Sequence, residues 1–161
     1  MKKYHALSNY EIDNYFRERS EYGGTFSKDM LPNKMENKFY IINLDDSTGG
    51  GSHWTLICPL KRTIYFDPFG VVPPVNALRF MRTRKKPIYY STLQLQHIKS
   101  SLCGYYCIYI IDQIMRNRDF MDIVAQDFNN DEAVNDKYIM KYFKNVKLGE
   151  PVREFKAINE F

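Results

Sequence analysis

One stretch, from Gln96 to Asp112, limits what this chain can fold into more than any other. It opens polar, through Gln96, His97 and Lys99, and closes apolar, through Ile108, Ile110 and Ile111. Ser100 and Ser101 are good helix-capping residues, and the apolar run begins at Leu102. Leu102, Tyr106, Tyr109 and Ile110 fall on one helical face, which predicts a buried helix from Cys103 to Met115, ending near Asn117. Cys103 then sits in the first turn, where unpaired backbone N–H groups and the positive end of the helix dipole favour a thiolate. Gly104 has no side chain, so another group can come close to the sulfur. A cysteine placed in this way is half of a nucleophile; the other half is a base.

The rest of the chain has to supply that base and a scaffold. At 161 residues it fits a single domain, 1–161, with a real core. Hydrophobic residues make up 44%, which separates it from disordered chains. Three cysteines, an odd number, argue for a reducing compartment and against a disulfide scaffold. No apolar leader follows Met1, and no run approaches membrane-spanning length. A soluble protein of the cell interior is expected, not a secreted one. The net charge of +4 permits an anionic partner without demanding one.

Ser8 and Glu11 read as a capping box opening a helix through about Arg19, stopped by Gly23 and Gly24. A turn at Gly24 and Thr25 and a loop through Lys28 to Pro32 follow. Phe39 to Leu44 is a buried strand by its β-branched and aromatic content. Asp45 to Ser52, with three successive glycines, is a loop. His53 to Leu60 and Arg62 to Asp67 are strands joined at Lys61. Val75 to Arg82 suits a helix, Arg82 to Lys86 a basic loop, and Pro87 to Leu95 a strand. Phe120 to Phe128 reads as a short helix. Another runs from Glu132 to Phe143, capped by Asn130 or Asp131. Residues 150–161 show no period and read as a tail. The fold class is α+β: a small mixed sheet flanked by helices, with the Cys103 helix central.

Three histidines compete for the role of base. His5 is near the terminus, and His97 has no obvious partner to fix it. His53 begins a strand directly after the glycine loop, where a side chain is both held and reachable. Trp54 beside it can wall the site against water. Read alone, His53 is a strand-end surface residue. Asp67 ends the strand expected to pair with that of His53, so it can orient the imidazole; alone, Asp67-Pro68 is an ordinary turn. Gln96, seven residues before Cys103, can project an amide into the site beside the Cys103 N–H. Alone, it is a solvated glutamine.

The ordered set says more than its parts. Gly51-Ser52-His53-Trp54, then Tyr65-Phe66-Asp67-Pro68-Phe69-Gly70, then Gln96 and Ser100 to Cys107, resemble the adenovirus maturation proteinase family. That family includes enzymes of virophages and Polinton-type elements. More distantly the motifs resemble the SUMO-specific proteases, whose fold is a circular permutation of papain's. The likeness spans roughly residues 8–117. The order histidine, acid, glutamine, cysteine differs from papain's. The resemblance implies that Cys103 is the nucleophile, His53 the general base and acid, and Asp67 its orienter. It makes Gln96 and the Cys103 N–H the oxyanion hole, with Trp54, Gly51 and Gly104 walling the substrate cleft. It further implies cleavage of viral capsid or core precursors after small, glycine-type residues during virion maturation. The protein would then work in a cytoplasmic virus factory or the nucleus, and in the virion. No counterpart appears for the cysteine that tethers the adenoviral peptide activator.

Other readings stay on the page. The same catalytic set serves a SUMO-type isopeptidase, and a retained fold serves a binding module. Cys58 and Cys107 read as small core residues. A zinc site from His53, Cys58, His97, Cys103 and Cys107 lacks any ligand spacing, so no metal and no required cofactor are expected. A phosphatase would need an arginine soon after the cysteine, where Tyr109 and its neighbours are apolar. Arg82, Arg84, Lys85 and Lys86 make either a solvated face or a contact to DNA, which could stimulate the enzyme. No membrane partner is expected, and the protein should be a monomer.

Overall fold

A computed structural model of the chain describes residues 4–45, 53–146 and 148. The expected tail, Gly51 and most of the glycine loop lie outside the described residues. Five strands form one mixed sheet in the order β1-β2-β3-β4-β5. They are β1 (Tyr22–Ser27), β2 (Phe39–Asn43), β3 (Trp54–Pro59), β4 (Thr63–Phe66) and β5 (Ile88–Tyr90). The pairs β1–β2 and β4–β5 are parallel, while β2–β3 and β3–β4 are antiparallel. The helices are α1 (Asn9–Tyr15), α2 (Val75–Arg82), α3 (Cys103–Met115), α4 (Phe120–Asp127) and α5 (Glu132–Tyr142). The α+β class expected from the sequence holds.

The central strands are apolar along their whole length because both faces are covered. On one face Ile41, Trp54, Leu56, Cys58 and Phe66 pack against α3. On the other Tyr40, Ile42, Ile57 and Tyr65 pack against Ala77, Phe80 and Met81 of α2. α3 is central: ten of its residues are buried, with α1, α4 and α5 around it. Ile108, Ile110 and Ile111 are each fully buried, and each contributes about 1.5–3 kcal/mol. Its tyrosines anchor the outer helices: Tyr106 donates to Asp136 at 2.7 Å, and Tyr109 to Asp127. Asp112 of α3 accepts from Tyr15 and Tyr142.

Four expectations need correcting. The segment read as a glycine stop and a turn at Gly24 and Thr25 is strand β1. Parallel pairing with β2 overrides the weak strand propensity, and Gly23 lets the Tyr40 ring cross its backbone. The first helix ends at Tyr15, not near Arg19. The strand expected from Pro87 to Leu95 is paired only over Ile88–Tyr90; beyond it the backbone turns toward the Asp67 corner. The N-cap of α3 is Leu102, with no side-chain cap: Ser100 Oγ accepts the Leu102 N–H instead of serving the first turn.

Candidate active site

The ends of β3 and β4 and the start of α3 meet at one corner of the sheet. Antiparallel pairing of Leu56 with Phe66 brings His53, just before β3, alongside Asp67, just after β4. His53 Nε2 lies 2.6 Å from Asp67 Oδ1. That oxygen also accepts the Phe69 N–H at 2.7 Å, which fixes the carboxylate within its own turn. The turn needs Gly70, whose φ is +76° and whose absent Cβ would lie 2.6 Å from the Thr92 carbonyl oxygen. Phe69 stacks flat on the imidazole, ring centres 4.5 Å apart at 15°. His53 is thus held from one edge and one face.

The Cys103 sulfur lies near enough to the His53 ring to favour its charged form. Since Nε2 serves Asp67, Nδ1 is the nitrogen left for sulfur. The Trp54 N–H also donates to Sγ, at 3.4 Å. One turn later the Cys107 thiol donates to the Trp54 carbonyl at 3.7 Å. The two cysteines therefore register α3 on the first residue of β3. Burial opposes a charge on His53, but the hydrogen bonds and negative charge of Asp67 and Cys103 outweigh it and raise its pKa from 6.5 to about 9. The ring is an imidazolium at neutral pH. Burial pushes the Cys58 and Cys107 thiols up, which makes them inert core residues.

Gln96 is fully buried between the Asp67 turn and α3. Leu95 and Gln96 N–H both donate to the Pro68 carbonyl, at 2.8 and 3.1 Å. Its amide nitrogen is occupied, Nε2 donating to Ser100 O at 2.9 Å and Ser100 Oγ at 3.1 Å, while Oε1 is buried and meets no partner from the polypeptide. The other histidines are placed elsewhere. His5 pairs with Glu11 on the surface, and His97 Nδ1 accepts the Lys99 N–H at 3.1 Å.

Two expected wall residues turn inward. The space beside Gly104 is filled by Leu7 Cδ1 and Trp54 Cδ1, at 3.1 and 3.2 Å from where a Cβ would stand. Gly104 therefore admits core packing and not a substrate. The Trp54 indole is buried, and Nε1 donates to the Leu7 carbonyl at 2.8 Å. In the basic loop, Arg84 is committed to Asn37 and Thr63 at 2.8 and 2.9 Å, so it braces the loop. Arg82, Lys85 and Lys86 are exposed. Phe69 and Ser100 are site residues whose roles went unread in the sequence. The signal for Phe69 was present, since an aromatic two residues after a turn carboxylate can fold back over its partner. Among the described residues no cluster of His, Cys, Asp or Glu could hold a metal. Among them no helix is long and apolar enough to cross a membrane.

No family model matches the chain, and no curated protein does. Solved structures do, and the likeness is one of fold. Two crystal structures of the ASFV pS273R protease share it. The selenomethionine form matches with a TM-score of 0.57 at 16% identity, over 84% of this chain and 65% of that one. The second matches with a TM-score of 0.59 at 14% identity, over 84% and 66%. The chain spans a little under two thirds of that protease's length.

Proposed function

We propose that the chain is a cysteine peptidase acting through Cys103, His53 and Asp67. The observation that supports this most is the 2.6 Å contact between His53 Nε2 and Asp67 Oδ1, beside a cysteine in the first turn of a helix. In this reading the Cys103 sulfur attacks the scissile carbonyl carbon, and the C=O π pair moves onto oxygen. The Cys103 N–H and Gln96 Nε2 stabilise that oxyanion. For this, one Nε2 hydrogen must turn from Ser100 toward the carbonyl. The oxyanion collapses, the C–N bond breaks, and imidazolium His53 gives its proton to the departing amine. Water, deprotonated by the now neutral His53, then hydrolyses the thioester and frees the thiol. Asp67 holds the ring throughout and accepts no proton.

The motif order supports a finer reading: maturation of viral capsid or core precursors, inside the host cell and in the virion, by a monomer cutting after small residues. DNA contact through Arg82, Lys85 and Lys86 is the matching proposal for the basic loop. A DNA affinity that is absent at low salt would exclude it. The test of the main reading is to incubate virion precursor proteins with the protein and with Cys103→Ala, and map new termini. The expected result is cysteine-dependent cleavage at internal bonds. Cleavage confined to Gly-Gly-ended conjugates would replace it with the isopeptidase reading. No cleavage, with no selective alkylation of Cys103 near neutral pH, would leave a binding module.

A further inference from the structure

Behind the His53–Asp67 pair lies a group of polar atoms that the chemistry above does not use. Asp67 Oδ1 takes both contacts, from His53 and from Phe69 N–H. The second oxygen, Oδ2, is buried and meets no hydrogen-bonding partner from the polypeptide. Gln96 Oε1 shares that condition, and within the sheet so do two further buried atoms, the Thr55 Oγ1 and the Tyr65 hydroxyl. Asp67, Thr55 and Tyr65 are each at most 1% exposed.

The sheet places them together. Ile57 stands opposite Tyr65 and Leu56 opposite Phe66. One further step along the ladder sets Thr55 across from Asp67. Side chains alternate along a strand, so Thr55, Tyr65 and Asp67 share the face turned toward α2 and away from α3. The Tyr65 hydroxyl lies near Thr55 and feels the Asp67 charge; burial first, then that charge, keep its phenol protonated against the opposing pull of Thr55. Tyr65 is therefore a donor. A buried carboxylate oxygen needs donors, and leaving it without any is costly.

An internal water ordinarily makes about three hydrogen bonds to buried polar groups. These three atoms offer that set. We propose that Thr55 and Tyr65 are positioning residues which, through one internal water, hold the Asp67 carboxylate edge-on to His53. The water accepts from the Tyr65 hydroxyl and donates to Asp67 Oδ2 and Thr55 Oγ1. The carboxylate then cannot rotate, and Oδ1 stays in line with Nε2. This rests on the assignment of His53 and Asp67 as the catalytic pair.

Tyr65→Phe and Thr55→Val remove one hydroxyl each and keep the shape. The His53 titration is followed by imidazole nitrogen NMR, without substrate and in a Cys103→Ala background, where the ring titrates without the thiol. Each variant lowers the His53 pKa by about one unit relative to its parent. Tyr40→Phe is the control, a buried phenol on the same face whose hydroxyl serves the Glu36 N–H at 3.2 Å; it leaves the titration in place. With Cys103 restored and a cleavable peptide, Tyr65→Phe lowers kcat about tenfold at unchanged KM. A folded Tyr65→Phe with an unmoved His53 titration overturns the proposal, and decides alone if Thr55→Val does not fold. A high-resolution crystal structure with no water among the three atoms overturns it equally. A shifted titration in a protein that cleaves nothing supports the network and sinks the peptidase reading.

Discussion

Burial alone would strip the proton from His53, yet the ring keeps it up to about pH 9 because Asp67 and Cys103 sit against it. In the proposed reaction that proton goes to the leaving amine. So kcat/KM should fall as pH rises through about 9, and a pH–rate profile checks it. Asp67→Asn should move that limb downward, toward the ordinary value near 6.5. Cys103→Ala should abolish turnover, and His53→Ala should nearly do so. Gln96→Ala is expected to cost on the order of 100-fold in kcat if its amide reaches the oxyanion. Loss of only a few-fold would return Gln96 to a purely structural role, bracing Ser100 and the Pro68 carbonyl.

Among the elements, those with strong periodicity were legible and those made by long-range pairing were not. The α3 helix could be read from Leu102, Tyr106, Tyr109 and Ile110, and its bounds agree with those expected. Strand β1 could not, because Gly23 and Gly24 score as breakers, while the value of Gly23 lies in the room it leaves for the Tyr40 ring, seventeen residues on. The same blindness hid the inward turn of Trp54 and Gly104: their partner, Leu7, lies more than forty residues away in sequence. The histidine–acid pair was legible because the strands bearing it are neighbours in sequence. Two element-level tests follow. Asp131, which accepts from the Ala133 and Val134 N–H groups, caps α5; Asp131→Ala should cost about 1 kcal/mol by thermal or denaturant unfolding. Gly70→Ala forces a left-handed residue and a clash with the Thr92 carbonyl. It should cost at least about 1 kcal/mol and misplace Asp67, seen as a fall in kcat larger than the fall in melting temperature predicts.

For the whole molecule, the corner chemistry leaves a mark on stability. The folded-state pKa of His53 stands above its unfolded value, at about 9 against 6.5. Its stabilisation is therefore fully present below pH 6.5 and is lost as pH rises through about 9. Thermal unfolding across that window should show a declining melting temperature, flattened in Asp67→Asn. A melting curve that is level from pH 6 to 9.5 would show that the imidazolium is not held as described. Helices cover both faces of one sheet, and α3 touches the core of every helix but α2. Loss of the corner is expected to lower a single cooperative transition, not to melt a local patch.

The Pro68 carbonyl receives both the Leu95 and the Gln96 N–H, while Gly70 lies hard against Thr92. Acid and amide are in effect yoked to one beam, even though twenty-nine positions of chain separate them. A lengthening of the exposed chain at Val71 and Val72 leaves the yoke whole, whereas one inserted between Thr92 and Leu95 would drag both ends of the candidate site out of line at once. Chain length has free play on one side of the beam and almost none on the other.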